Sequence, residues 1–380
     1  MRRLFLLVAA VVLVDTSFYA SISPLLPHYA ADLGLSKSAA GLLSASYAAG
    51  TLLAALPSGW LAARVGVKPT LLIGLALLSG SSIAFAFAHD VVVLDAARFV
   101  QGIGGACSWA GGLAWLIARA PGDRRGELIG SALAAAIAGS LLGPVLGGAA
   151  TVASPELVFS GVAVVAAILG VFALATPGVE RTEGATWSSL FSALRRPAVL
   201  AGVGLVALPA LFSGTLNVLA PLRLDALGAS GVAIGALWLV AAGVEAVLSP
   251  VLGRVSDRRG RMAPITGGLA SAGLMAVLLP LPGHVWLMVP VVIASVAALA
   301  AFWAPAMALL SDASDSAGLD QGFSFALTNL AWAGGQVVGG TGGAALAQST
   351  RDAASYAVLA VLCAATLVAV RVWASRAVPA

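Results

Sequence analysis

The chain is a succession of apolar runs, at 4–26, 39–61, 69–88, 91–118, 127–151, 157–177, 197–222, 229–252, 263–281, 284–311, 321–348 and 352–374. Each is long enough to cross a hydrocarbon core of about 30 Å as a helix of roughly 20 residues. Lipid offers no water to backbone amides, so a spanning segment must satisfy them internally, which favours helices here. Twelve runs fill the 380 residues, and the polar breaks between them are short. Hydrophobic residues make up 60% of the chain and charged residues 9%, against about 25% charged in an ordinary soluble domain. A water-soluble core cannot hide that much apolar surface, so the sequence predicts an all-α membrane protein with the lipid bilayer as its solvent.

The breaks carry the orientation. With the N-terminus and every even-to-odd connection on the cytoplasmic side, that side receives Arg2, Arg3, Arg64, Lys68, Arg119, Arg124, Arg125, Arg181, Arg195, Arg196, Arg254, Arg258, Arg259, Arg261, Arg371 and Arg376. The opposite side receives Lys37, Arg223 and Arg351. The excess of Lys and Arg on one side predicts both termini in the cytoplasm. Arg2 and Arg3 before an apolar run imitate a secretion signal, but Asp15 interrupts the run and more spans follow, so it reads as the first span. The longest charged break, 179–196, divides the chain into halves at 1–178 and 197–380.

Composition and motifs exclude several classes. The net charge of +4 is spread over segment ends rather than gathered in a patch, which argues against nucleic acid. Cys107 and Cys363 sit in apolar runs, and His28, His89 and His284 show no ligand spacing, so neither a disulfide framework nor a metal site is expected. A phosphate-binding loop followed by Lys-Ser/Thr is lacking, as are HExxH and a suitable GxSxG, which argues against ATP-driven pumping and membrane-embedded catalysis.

Within the runs, small residues recur at fixed register. The fifth reads Gly130-x8-Gly139-x3-Gly143-Pro144-x2-Gly147-Gly148. Such a string is costly for a helix in water, where Gly costs up to about 1 kcal/mol and Pro about 3. In lipid it lets a neighbouring helix approach closely and bends the axis. The eleventh run echoes it as Gly335-x3-Gly339-Gly340-x-Gly342-Gly343, 196 positions after Gly139. A second echo joins the breaks after runs two and eight. Gly59-x4-Arg64-x-Gly66-x-Lys68 precedes Gly253-x3-Asp257-Arg258-x-Gly260-Arg261 by 194 positions. Two echoes at nearly one period predict a duplicated six-helix unit.

These residues carry a resemblance to the major facilitator superfamily. The Gly253–Arg261 segment matches its cytoplasmic Gly-x-x-x-Asp-Arg-x-Gly-Arg signature in full. The first copy departs from it, with Ala63 at the acid's place and Val67 for a basic residue. In that family the loop acts as a conformational latch, so Gly59, Arg64, Gly66, Lys68, Gly253, Asp257, Arg258, Gly260 and Arg261 are the implied switch residues, with the N-terminal copy weakened. The fifth run is similar to the signature helix of the family's twelve-helix drug/proton antiporters. The fourth, Arg98-x-x-Gln101-Gly102-x-Gly104, resembles a motif of proton-coupled members. The resemblance implies two pseudo-symmetric six-helix bundles, a monomer, and export of small drug-like organic molecules, lipophilic or cationic, by alternating access. No cofactor is implied beyond the proton as coupling ion.

Three residues are candidates for coupling. An arginine in lipid costs about 2.5–3.5 kcal/mol and needs a partner or a wet cavity. For Arg98 the expected partner is Asp95, three residues earlier on the same face. Asp15 lies halfway along the first run, where burial disfavours a carboxylate's charged form and suits it to taking up a proton. Its spacing from Pro24 and Pro27 resembles the first helix of several drug and amine exporters. Glu245, in the eighth run, is the third. Phe18, Tyr19, Asn217, Asn329, Trp332 and Gln336 are expected to line a substrate cavity, the last three at i, i+3 and i+7 on one face. Aromatic rings beside a carboxylate suit a lipophilic cation. A facilitator or exporter of sugars or other metabolites is the alternative on the same fold. A ligand sensor that has lost coupling is a further one, given Ala63. Abundant Ala, Val, Gly and Arg with few Lys point to a GC-rich bacterial source and its cytoplasmic membrane.

Overall fold

A computed structural model describes residues 2–119, 125–179, 195–319 and 321–377. Most of the expected linker at 179–196 therefore lies outside the described residues, and so do the surroundings of Gly253 and the side chain of Asp257. Every described element is helical. In order they are α1 (Arg2–Ala20), α2 (Ile22–Asp32), α3 (Lys37–Arg64), α4 (Val67–Ala86), α5 (Val91–Arg119), α6 (Arg125–Val152), α7 (Pro155–Ala175), α8 (Pro197–Ala226), α9 (Gly231–Arg259), α10 (Met262–Leu278), α11 (Val285–Ser316), α12 (Gln321–Val337), a π-helical turn (Val338–Gly342), α13 (Gly343–Ser349) and α14 (Asp352–Ala377). Among the described residues ten helices are long and apolar enough to cross a membrane, with α1 and α2 counted together, and Met262–Leu278 is a shorter apolar helix. Large apolar side chains such as Leu53, Leu157, Trp286 and Val361 are exposed on their outer faces. Water would penalise such a surface and lipid does not.

Two compact units emerge from the packing. The first comprises Met1–Leu35, Leu42–Trp187 and Gly231–Leu239, and the second Ser36–Gly41, Ser188–Ser230 and Val240–Ala380. Within the first, α1 packs on α6 and α5, while α4 packs on α5 and α7. Within the second, α8 packs on α12 and α11, while α10 packs on α11 and α14. Each pair in one list has its counterpart six spans later in the other, so the duplication expected from the glycine spacing recurs as a packing pattern.

The glycine strings are the seams of that packing. A Cβ at Gly139, Gly143 or Gly147 would collide with the α1–α2 backbone at Leu13, Ser17 and Ser21 respectively. A Cβ at Gly335, Gly339 or Gly343 would collide with α8 at Ala207, Leu211 and Thr215. The partners, like the glycines, stand at one repeat offset from each other. Two turns repeat as well. Gly66 (φ 113°) and Gly260 (φ 81°) close the two related loops in the left-handed region, where a Cβ is strained. Gly34 and Gly228 do the same one span earlier, a correspondence the loop signatures alone do not announce.

Candidate functional site

The first span does not run as one straight helix. α1 gives way at Ser21, whose N–H and hydroxyl both turn back to the Phe18 carbonyl at 3.3 and 2.7 Å. Pro24 lacks the N–H that would bond the Ala20 carbonyl, which helps to break the ladder at this point. Arg98 of α5 reaches the backbone carbonyls next to this break. Its guanidinium donates to the carbonyls of Phe18 (3.3 Å) and Tyr19 (3.2 Å) and to Gln101 Oε1 (2.8 Å). It lies 5.4–5.9 Å from the ring centroids of Tyr47, Phe18 and Tyr19. Arg98 is fully buried, and cation–π contact with oriented carbonyl dipoles replaces water around it.

This corrects the expected ion pair with Asp95. Helical spacing of three brings two side chains near each other, but the long Arg98 side chain turns inward to the broken span. Asp95 is half-buried and faces the Ser46 hydroxyl.

Asp15 is the acid of this site. It is fully buried, and its Oδ2 accepts hydrogen bonds from Tyr47 Oη (2.9 Å) and Trp109 Nε1 (3.1 Å). Its Oδ1 has no hydrogen-bond partner among the described residues. Nε of Arg98 and Nε2 of Gln101 are likewise unpartnered. A buried polar group left without a partner costs about 1–3 kcal/mol, and three such atoms belong to this one cluster. Tyr19 and Trp109 are half-buried, and the Tyr19 ring lies against that of Tyr47, centroids 4.8 Å apart and tilted by 41°. The cluster is therefore a carboxylate with a guanidinium beside it, framed by three polar aromatics.

The glycines of the fourth span make room for it. A Cβ on Gly105 would stand 2.6 Å from Tyr47 Oη and 2.9 Å from Asp15 Oδ1. On Gly102 it would strike the Tyr47 carbonyl, and on Gly104 it would lie 3.0 Å from the Gly74 carbonyl. Arg-x-x-Gln-Gly-x-Gly thus reads physically as a cation, its amide partner, and successive contact surfaces for α3 and α4, with Gly105 admitting the carboxylate.

Sequence reasoning missed Tyr47 and Trp109. Trp109 had a signal, since it follows Arg98 by eleven residues, three helical turns on one face. Tyr47 had only its rarity, as one of four tyrosines in the chain. Phe18, expected in a cavity, is fully buried against Phe85 and Phe159 and under Arg98.

The second unit holds the amides. Gln336 is buried and donates to Ser213 Oγ at 2.9 Å, joining α12 to α8. Asn217, Asn329 and Trp332 are half-buried on those same two helices. Glu245 lies exposed on α9. Among the switch residues, Lys68 donates to the carbonyls of Leu174 (2.7 Å) and Thr176 (2.8 Å), a cation on the C-terminal end of α7. Arg64 is exposed over the Trp60 ring at 5.7 Å, and Arg258 is also exposed. Arg261 forms an ion pair with Asp312. Gly59 is crowded by nothing, whereas the Gly139, Gly143 and Gly147 seam is tight; Pro144 lies within α6, and Gly130 and Gly148 complete that helix. No group of three or more His, Cys, Asp or Glu able to hold a metal occurs among the described residues.

Comparison with known proteins gives the family and the fold. The family model described as Major Facilitator Superfamily matches residues 6–334. The chain is 37% identical over 143 residues to "Probable vesicular acetylcholine transporter-B" of Danio rerio, covering 35% of this chain and 29% of that one. It is 39% identical over 82 residues to "Quinolone resistance protein NorA" of Staphylococcus aureus, covering 22% and 21%. The matches thus span less than a third of those relatives. In fold it is similar to a POT family transporter complexed with 5-aminolevulinic acid (TM-score 0.78, 15% identity, 98% and 96% coverage) and to a D-xylose-proton symporter (0.75, 18%, 97% and 96%).

Proposed function

The chain belongs to the major facilitator superfamily, a family of transporters rather than enzymes, and from that premise we propose that it exports small lipophilic organic cations in exchange for protons. The carrying observation is the buried Asp15 carboxylate, with two donors on one oxygen, an unpartnered second oxygen, and the rings of Tyr19, Tyr47 and Trp109 around it. A proton and an organic cation both neutralise that carboxylate, and they compete for it. Arrival of one expels the other, which is the thermodynamic core of antiport. The rings add cation–π attraction for the organic ion. Arg98 holds a fixed positive charge against Tyr47, so a singly charged Asp15 is stabilised without being permanently neutralised.

The exporter so proposed has twelve spans, both termini in the cytoplasm, and a place in a bacterial cytoplasmic membrane. The relatives' names, an acetylcholine transporter and a quinolone resistance protein, fit an organic substrate. The amides of the second unit, with no buried acid beside them among the described residues, support a second reading: transport of a neutral metabolite.

The test is proton flux in proteoliposomes carrying an internal pH dye, challenged with lipophilic cations and neutral drugs. Cation-evoked flux that vanishes in Asp15→Asn is the expected result. Substrate movement without proton movement supports the metabolite reading.

A further inference from the structure

The charge enclosed in the first unit constrains more than which ion Asp15 prefers. Among the described residues, Asp15 and Arg98 are the charged side chains that are fully buried, and both belong to that unit. They meet at Tyr47. Its hydroxyl donates to Asp15 Oδ2 at 2.9 Å, and its ring centroid lies 5.4 Å from the Arg98 guanidinium carbon. The acceptors that Arg98 reaches are all neutral, the Phe18 and Tyr19 carbonyls and Gln101 Oε1. The other titratable groups that act on it, Tyr19, Tyr29 and Tyr47, are phenols and carry no full charge. Asp95, on the same helix, is half-buried and faces the Ser46 hydroxyl, and Glu245 is exposed in the second unit.

The sum over this enclosure fixes the cost of each load. With Asp15 ionised, the pair is neutral. A proton on Asp15 leaves only the charge of Arg98. A singly charged cation beside the ionised Asp15 gives the same net charge as the proton does. A dication adds one charge more. The self-energy of an enclosed charge rises with its square, and Arg98 repels the dication directly.

Resting on the export reading above, we propose that Arg98 is the valence filter of this site: singly charged cations exchange for the proton one for one, dications are refused, and the exchange moves no net charge. As the cation settles, the Asp15 O–H bond breaks and its proton passes to water on the side the site then faces. The proton-loaded and cation-loaded proteins carry equal charge, so the membrane potential acts equally on both and cancels over the cycle. The pH difference and the cation gradient alone then drive transport. Gln101 offers a way to retune the filter, because its Oε1 sits 2.8 Å from an Arg98 Nη. Gln101→Glu sets a carboxylate against the fixed charge with almost no change of shape.

The experiment follows proton flux in proteoliposomes of the full-length protein, with an internal pH dye, a pH gradient and symmetric potassium. The probes are methylphenylpyridinium and methyl viologen, nearly equal in size but singly and doubly charged. Wild type should show proton flux with methylphenylpyridinium, and flux lower by about tenfold or more with methyl viologen. Valinomycin should leave the first flux unchanged while it quickens a protonophore-driven flux, the reference for charge movement. Gln101→Glu, checked for folding by size-exclusion elution, should close most of the gap between the probes. Equal flux from both probes in wild type, or a folded Gln101→Glu that still refuses methyl viologen, overturns the filter. A methylphenylpyridinium flux that valinomycin quickens overturns the one-for-one exchange and leaves the export reading standing. Cation-evoked flux that is absent, or that survives in Asp15→Asn, sinks the export reading and this inference with it. Should Gln101→Glu misfold, the wild-type comparisons decide alone.

Discussion

Each unit is built on the same seam, yet among the described residues only the first carries a buried acid and a buried arginine at its kinked first helix. Gly139, Gly143 and Gly147 admit Leu13, Ser17 and Ser21 in the first unit, and Gly335, Gly339 and Gly343 admit Ala207, Leu211 and Thr215 in the second. Even the interruption recurs, as Pro144 within α6 and Gly340 within the π-helical turn. Both relax the i to i−4 ladder at one register. The chemistry does not recur. One repeat of 194 residues carries Asp15 to Pro209, Tyr47 to Ala241 and Arg98 to Val292, and only Trp109 meets a like residue, Trp303. The seam recurs where a Cβ would collide in either copy. The charges do not, and an acid and an arginine in lipid cost energy wherever they stand.

The comparison breaks most visibly at the seams. Gly143→Leu and Gly339→Leu should each abolish a folded, monodisperse protein or lower its Tm steeply, since overpacking a tight contact costs about 1–3 kcal/mol or more. Gly342→Ala, in the same π-helical turn with nothing within 4 Å, should leave Tm nearly unchanged. Fluorescence-detected size exclusion after heating reads all three. A tolerant Gly339→Leu beside an intolerant Gly143→Leu would end the equivalence.

The interior should show the opposite asymmetry. Arg98→Lys keeps the charge but loses the fork that reaches the Phe18 and Tyr19 carbonyls together. Transport should fall by about tenfold or more, the consequence of losing at least one charge-assisted bond. Val292→Ile, a volume change at the related buried position, should cost no more than modest stability. Transport assays on membrane vesicles, normalised to protein level, separate the two.

Smaller effects sharpen the site itself. Tyr47→Phe removes a hydrogen bond to a charged group, worth about 1.5–3 kcal/mol, and should change apparent affinity for a lipophilic cation roughly tenfold to a hundredfold. Trp109→Phe, which removes the longer bond to the same oxygen, should shift it less. Competition binding with tetraphenylphosphonium gives the order. The least effect is expected at the loops, where Gly66→Ala and Gly260→Ala each introduce a Cβ at positive φ. A loss of about 1–2 kcal/mol is expected at each, read as similar decreases in Tm. Unequal losses would mean that the loop lacking an acid at Ala63 has also lost its turn.

How far the sequence disclosed this depended on the kind of signal. Runs of apolar residues disclosed the helices, because length and hydrophobicity suffice in lipid. Glycine spacing disclosed the seam and its duplication, because close approach has a fixed period. The Arg98 partner was misjudged, since a three-residue spacing looked decisive while the carbonyls of Phe18 and Tyr19, being backbone, have no side-chain signature. Tyr47 was missed for a related reason. It reaches Asp15 from a different helix, and contact between helices has no signature in a single run of sequence.

The central claim is that Asp15 is where proton and substrate exchange. It is tested most directly by the protons released when tetraphenylphosphonium binds the purified protein in weakly buffered detergent solution. The account predicts that wild type releases up to about one proton per bound cation, as competition for one carboxylate requires. Glu245→Gln should release the same number, and Asp15→Asn none. Undiminished release from Asp15→Asn would contradict it.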